Sequence, residues 1–118
     1  MKEITLFEEA RNNPEAFKEN GINHTLYWAY NNSKEAGNDL IDFSEVIWDY
    51  DIPEIAAVLK EEGITEFTIS STFSSLIETL AAFEAQGITM AGLTQVKARY
   101  TDWQTGEHKI IPAIKMSL

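Results

Sequence analysis

Cysteine is absent from the 118 residues, which excludes a disulfide framework, a thiolate zinc site and a cysteine nucleophile. Histidine is scarce. His24 and His108 are the only imidazoles, they share no metal-binding spacing, and neither sits in a nucleophile or acid–base motif. Asp49-Tyr50-Asp51 lacks the glycine and terminal glutamate of a calcium loop. No metal and no cofactor are expected, and the chain reads as a non-enzyme. Long apolar runs are missing too, with none near the roughly 18 residues of a membrane span. The opening Met1-Lys2-Glu3-Ile4-Thr5-Leu6-Phe7-Glu8-Glu9 meets acids where a secretory signal would run apolar, so a cytoplasmic location is expected. Basic residues are few: nine Lys plus Arg stand against nineteen acids, for a formal net charge of −10. That balance opposes direct binding to nucleic acid or an anionic membrane and suits a basic protein partner.

What is present is a substantial apolar payload, 44% hydrophobic and 11% aromatic, in a chain whose length suits one domain. Residues 1–118 are read as that single domain, with a helical N-terminal part at 1–37 and an α/β core with a C-terminal hairpin at 38–118. Thr5 with Glu8 has capping-box spacing for a first helix. Asn13-Pro14-Glu15 restarts the chain as cap and first turn, and Gly21 ends that segment. A further helix runs from about Asn23 to Ala36, closed by Gly37. Its Tyr27, Trp28 and Tyr30 are too closely spaced to share one core stripe, so some aromatic surface is left over.

Leu40 to Trp48 fits a short helix or a strand, and the helix is the reading taken. Asp51 then caps a helix with Pro53 and Glu54 in its first turn. Its Ile52, Ile55, Ala56 and Leu59 make the core stripe, and Gly63 stops it. Glu66 to Ser70 alternates as a strand, and Phe73 to Phe83 returns to helical spacing, with Ser71 or Thr72 as its cap. Val96 to Thr101, a turn at Gln104-Thr105-Gly106-Glu107 and Lys109 to Met116 read as a hairpin. Pro112 cannot donate to a ladder, which places it on an edge or at a bulge. The expected fold is α+β: a helical N-terminal half packed on a small, about three-stranded mixed sheet.

Three runs carry a resemblance: Ile41 to Asp49, Phe67 to Glu78, and Tyr100 to Glu107. Over about Tyr27 to Met116 the chain resembles a family of small acidic uncharacterised proteins from Gram-positive bacteria and their plasmids and integrated elements. The resemblance implies a bacterial, mobile-element setting. It carries over no activity and no functional residue.

The charge is unevenly spread. Residues 1–93 hold a net −12, whereas 94–118 hold +2 through Lys97, Arg99, Lys109 and Lys115. From Glu35 to Glu66 ten acids stand against Lys60 alone. A solvated acidic face would account for this. Trp48 and Tyr50 lie among those acids, however, and aromatics beside fixed charge are what interfaces use for anchoring and steering. The expected partner-binding residues are Asp42, Glu45, Trp48, Asp49, Tyr50, Asp51 and Glu54, with Tyr27, Trp28 and Trp103 as a secondary interface. The function expected is a non-enzymatic acidic binding protein, an inhibitor or nucleic-acid-mimicking decoy of a basic nucleic-acid-handling partner such as a CRISPR or restriction nuclease. A structural or regulatory protein that self-associates through its aromatic surface and complementary charged poles, for instance as a homodimer, is the alternative. A small enzyme at the hydroxyl-rich junction Ser70 to Ser75 is a third reading, although an N-cap explains those residues.

Overall fold

The computed structural model describes residues 1–13, 15 and 22–118. Helix α1 (Thr5–Asn12) is capped by the backbone of Ile4, and Thr5 is already its first helical residue, so no capping box forms. Glu8 is drawn elsewhere: its carboxylate accepts from the Tyr30 hydroxyl and the Lys34 ammonium. Phe7 turns inward edge-on to Tyr27 and Tyr30, with ring centroids 5.7 and 5.3 Å away. Asn13 Oδ1 accepts from the Glu15 amide (3.1 Å), as a cap there requires, whereas the expected roles of Pro14 and Gly21 lie outside the described residues.

Helix α2 (His24–Ala36) follows the sequence reading closely. The Asn23 side chain accepts from the Leu26 amide (3.0 Å), and Gly37 closes the helix in the left-handed region at φ +80°, where any Cβ would be strained. Its adjacent aromatics part company, with Tyr27 and Tyr30 buried and Trp28 left outside.

The expected helix at Leu40–Trp48 is not formed. Asp42–Phe43 is a short strand, β1, parallel to β2 (Glu66–Ile69). Extension wins because alternation satisfies both sides. Ile41 and Phe43 enter the core, with Phe43 5.4 Å from Phe67, while Asp42 turns to the opposite face beside Thr68 and Ser70. Between these strands runs α3 (Ile52–Glu61), whose Ile52, Ile55, Ala56 and Leu59 are buried as the spacing requires. Helix α4 (Leu76–Ala85) connects β2 to β3 (Thr89–Thr101), and β4 (His108–Ser117) returns as the hairpin strand. Helix α4 begins later than Phe73, and its N-cap is Ser75 without a side-chain hydrogen bond, so neither Ser71 nor Thr72 caps it.

The sheet is therefore four-stranded, one strand more than expected, in the order β1-β2-β4-β3. The class is α+β, with helices mostly in the N-terminal half and a terminal strand pair. The hairpin strand β4 inserts between β2 and β3, antiparallel to both. Pro112 lies beyond the end of β2, whose last partner on β4 is Ile114. Its missing N–H thus falls where β4 has lost its inner neighbour, which is how an otherwise central strand accommodates a proline.

The two edges of the sheet are tied to α2 and the turn after it. At β1, the Asp42 amide donates to Ser33 Oγ (2.7 Å), and that hydroxyl faces the Asp42 carbonyl at 3.4 Å. At β3, Asn38 imitates a neighbouring strand: its Nδ2 donates to the Lys97 carbonyl and its Oδ1 accepts from the Lys97 amide, each at 2.8 Å. The sheet consequently curls, and Glu45 just after β1 reaches Arg99 on β3 at 2.6 Å.

Burial, and then the neighbouring Glu8, push the Tyr30 hydroxyl from about 10 up to about 12. The Lys34 ammonium, and then Tyr30, hold Glu8 below its usual carboxylate value. A phenol raised in the folded state contributes stability that is complete below pH 10 and lost as pH rises from about 10 to about 12. Urea unfolding followed against pH should therefore show an alkaline decline in that window. Tyr30→Phe should cost about 1 kcal/mol at neutral pH through the lost hydrogen bond, and should flatten the alkaline decline.

Candidate interaction surface

A single 3₁₀ turn, Asp49–Asp51, stands between β1 and α3. Ile47 before it and Ile52 after it are buried, so the turn is pinned at both ends while the residues between them are pushed outward. The Asp51 amide closes the turn on the Trp48 carbonyl at 2.9 Å. Trp48 is 57% exposed and Tyr50 78% exposed, and Asp49 and Glu54 are exposed beside them. Neither Asp49 nor Glu54 has an ion-pair partner among the described residues.

Asp51 does not cap α3. Its backbone is right-handed helical, at φ −83° and ψ −22°, and its side chain makes no capping bond. The carboxylate instead accepts from Asn23 Nδ2 (3.4 Å) and Thr25 Oγ1 (3.2 Å) at the start of α2, where the helix dipole favours a negative charge. Asp51 therefore braces the turn against the helix that carries Trp28.

The expected partner-binding residues divide accordingly. Trp48, Asp49, Tyr50 and Glu54 form one exposed stretch, and Asp51 supports it from behind. Glu45 is exposed but already paired with Arg99. Asp42 does not belong to the surface. It is 5% exposed, and its carboxylate accepts from Thr68 Oγ1 and Ser70 Oγ, both at 2.6 Å. Of the secondary set, Tyr27 is buried and cannot act as surface, whereas Trp28 is 57% exposed and Trp103 is fully presented at the hairpin tip. That tip is shaped by Asp102 Oδ1, which accepts from the Gln104 amide (2.7 Å), and by Gly106 at φ +73°.

Two clefts went unread in the sequence. One of about 330 Å³ is walled by Trp28, Ala29 and Val46, and one of about 530 Å³ by Ser70, Thr72 and Tyr100. Ser44, Glu45 and Arg99 line both, so the Glu45–Arg99 ion pair sits where the two meet. No local signal could have found this, because the pair joins residues on opposite edges of the sheet. The Ser70 hydroxyl is committed to Asp42, which sets it against an anion site at the Ser70–Ser75 junction. His108 Nδ1 donates to the Ala98 carbonyl (2.6 Å) and so holds the hairpin. Among the described residues no group of three His, Cys, Asp or Glu gathers as a metal site, and no helix is long and apolar enough to cross a membrane.

Asp51→Ala should lower stability by about 1–2 kcal/mol, because two donors at the start of α2 lose their acceptor. Asp49→Ala should stay within about 0.5 kcal/mol, as for an exposed side chain without an ion-pair partner among the described residues. Urea titrations of both variants check the pair.

No curated protein and no solved structure matches the chain. The profile of the family described as Domain of unknown function (DUF7698) matches residues 25–118.

Proposed function

The chain belongs to the DUF7698 family, a domain of unknown function, and from that premise we propose that it acts as a non-enzymatic acidic binding protein through the turn Trp48–Glu54. The family match begins where the sequence resemblance to small acidic bacterial and mobile-element proteins begins. A mobile-element setting gives such a protein a target: a basic, nucleic-acid-handling enzyme of the host cytoplasm, such as a CRISPR or restriction nuclease. The protein is then an inhibitor or nucleic-acid-mimicking decoy.

One observation carries this reading. Two exposed aromatic rings and the Asp49 carboxylate on a short turn anchored at both ends and braced by Asp51 stand next to the Glu54 carboxylate in the first turn of α3, and neither carboxylate has an ion-pair partner among the described residues. Aromatics supply area at low entropy cost, and fixed carboxylates supply steering toward a basic groove. Anchoring of the backbone matters because only the side chains then remain to be ordered on binding. Pole-to-pole self-association is less well supported, because two of the four hairpin bases are already neutralised within the chain: Arg99 pairs with Glu45, and Lys115 with Glu66 at 3.1 Å.

The test is competition. The protein should displace nucleic acid from a susceptible nuclease and block cleavage, less effectively as salt rises. The double variant Asp49→Lys/Glu54→Lys should lose about 2–5 kcal/mol of binding through like-charge contact, while its unfolding midpoint stays near the parent's. Equal inhibition by a folded double variant would reduce the acidic turn to solvated surface.

A further inference from the structure

We infer that the free outer edge of β3 is a self-association site, where a second copy of this chain pairs antiparallel through Leu93 and Gln95 to join two four-stranded sheets into one. The inference stands apart from the acidic turn and does not depend on it.

The two edges of the sheet differ in how they are protected. An edge strand exposes a row of unpaired amide and carbonyl groups, and proteins blunt such edges with short strands, charges, prolines or bulges. The β1 edge is two residues long and its outward amide is taken by Ser33. The β3 edge is thirteen residues long and is closed at Lys97 by Asn38. Because the Lys97 amide and carbonyl both point outward, two-residue alternation points those of Gln95 and Leu93 outward as well. No hydrogen bond reaches them among the described residues. The register between Gly92 and Lys97 is regular, with irregularities confined to Met90/Gly92 and Lys97/Thr101, so no bulge interrupts this stretch.

Its chemistry is also unguarded. Ala85 to Val96 contains no charged residue, in a chain where every fourth residue is charged, and no proline. Leu93 is 83% exposed and Met90 is exposed near it. These features select the occupant. Two copies that each carry −10 repel wherever acids face each other, and this strand segment is free of them. An edge of alternating donors and acceptors is complementary to itself about a two-fold axis, which closes the assembly at two copies. With the axis at Thr94, Leu93 of each copy faces Gln95 of the other, and the outward groups of both residues find partners. Asn38 limits the pairing at the Lys97 end.

The test uses the full chain. Light scattering over a concentration series should show a monomer–dimer equilibrium that strengthens with added salt, since screening relieves repulsion between acidic copies. This is the opposite sign to pole-to-pole association. Amide exchange at Leu93 and Gln95 should be fast in dilute solution and slow as concentration rises. Gln95→Pro removes one outward N–H at a position where an edge strand tolerates proline, and Leu93→Glu places like charges beside the axis that add to the repulsion between acidic copies. Each should weaken dimerisation on the order of tenfold or more while circular dichroism stays unchanged. A monomer at every concentration and salt would overturn the proposal. So would a dimer that both variants leave intact, or one that salt dissolves.

Discussion

The grip of α2 on both edges of the sheet is the constraint from which the rest of the molecule follows. Ser33 and Asn38 lie five residues apart, yet one secures β1 and the other β3, the two strands farthest apart in the strand order. A four-stranded sheet already twists with a fixed hand of its own. Tied at both margins to one helix and its closing turn, it bends until Glu45 meets Arg99. The clefts on either side of that ion pair are products of the bend, whereas Asp42 owes its hydroxyl partners to the pairing of β1 with β2.

The same helix positions the acidic turn. Its first turn offers Asn23 and Thr25 to Asp51, and its buried face stacks Tyr27 and Tyr30 on α1. A change at the start of α2 is therefore transmitted to Trp48 and Tyr50 through Asp51, and a change at its end is transmitted to the sheet edges. The exposed stretch owes its shape to contacts made behind it, which is why residues with no surface of their own matter to a binding reading.

Local pattern revealed the parts of the fold that local forces decide. Asn23 and Gly37 bound α2 because capping is a matter of a few residues, and the stripe Ile52, Ile55, Ala56 and Leu59 is buried because helical spacing alone sets it. The hairpin turn follows from Gly106 in the same way, although the part Asp102 plays in shaping it was not read. What escaped was decided at long range. Asp42 and Asp51 look like surface acid and helix cap until Thr68, Ser70, Asn23 and Thr25 arrive from elsewhere in the chain. Glu8 has the spacing of a capping box, but an ammonium and a phenol from α2 compete for it and win. β1 was ambiguous because a two-residue strand has no period to read. Within the site, the aromatic and acidic exposure at 48–50 was legible, whereas the support behind it was not.

The insertion of β4 between β2 and β3 has a kinetic consequence. Ile69 pairs with Ile114, so the central ladder joins residues separated by the whole of α4, β3 and the hairpin tip. Closing so large a loop is entropically costly before any of its contacts are made, and topologies rich in such contacts fold slowly. The hairpin, by contrast, is local and can form early. The expected order of events is therefore a preformed β3–β4 ribbon that docks late into the gap beside β2. Until it docks, Phe67 and Phe43 have no strand to complete their layer, and this interval, rather than the finished structure, is when the chain is most exposed to aggregation.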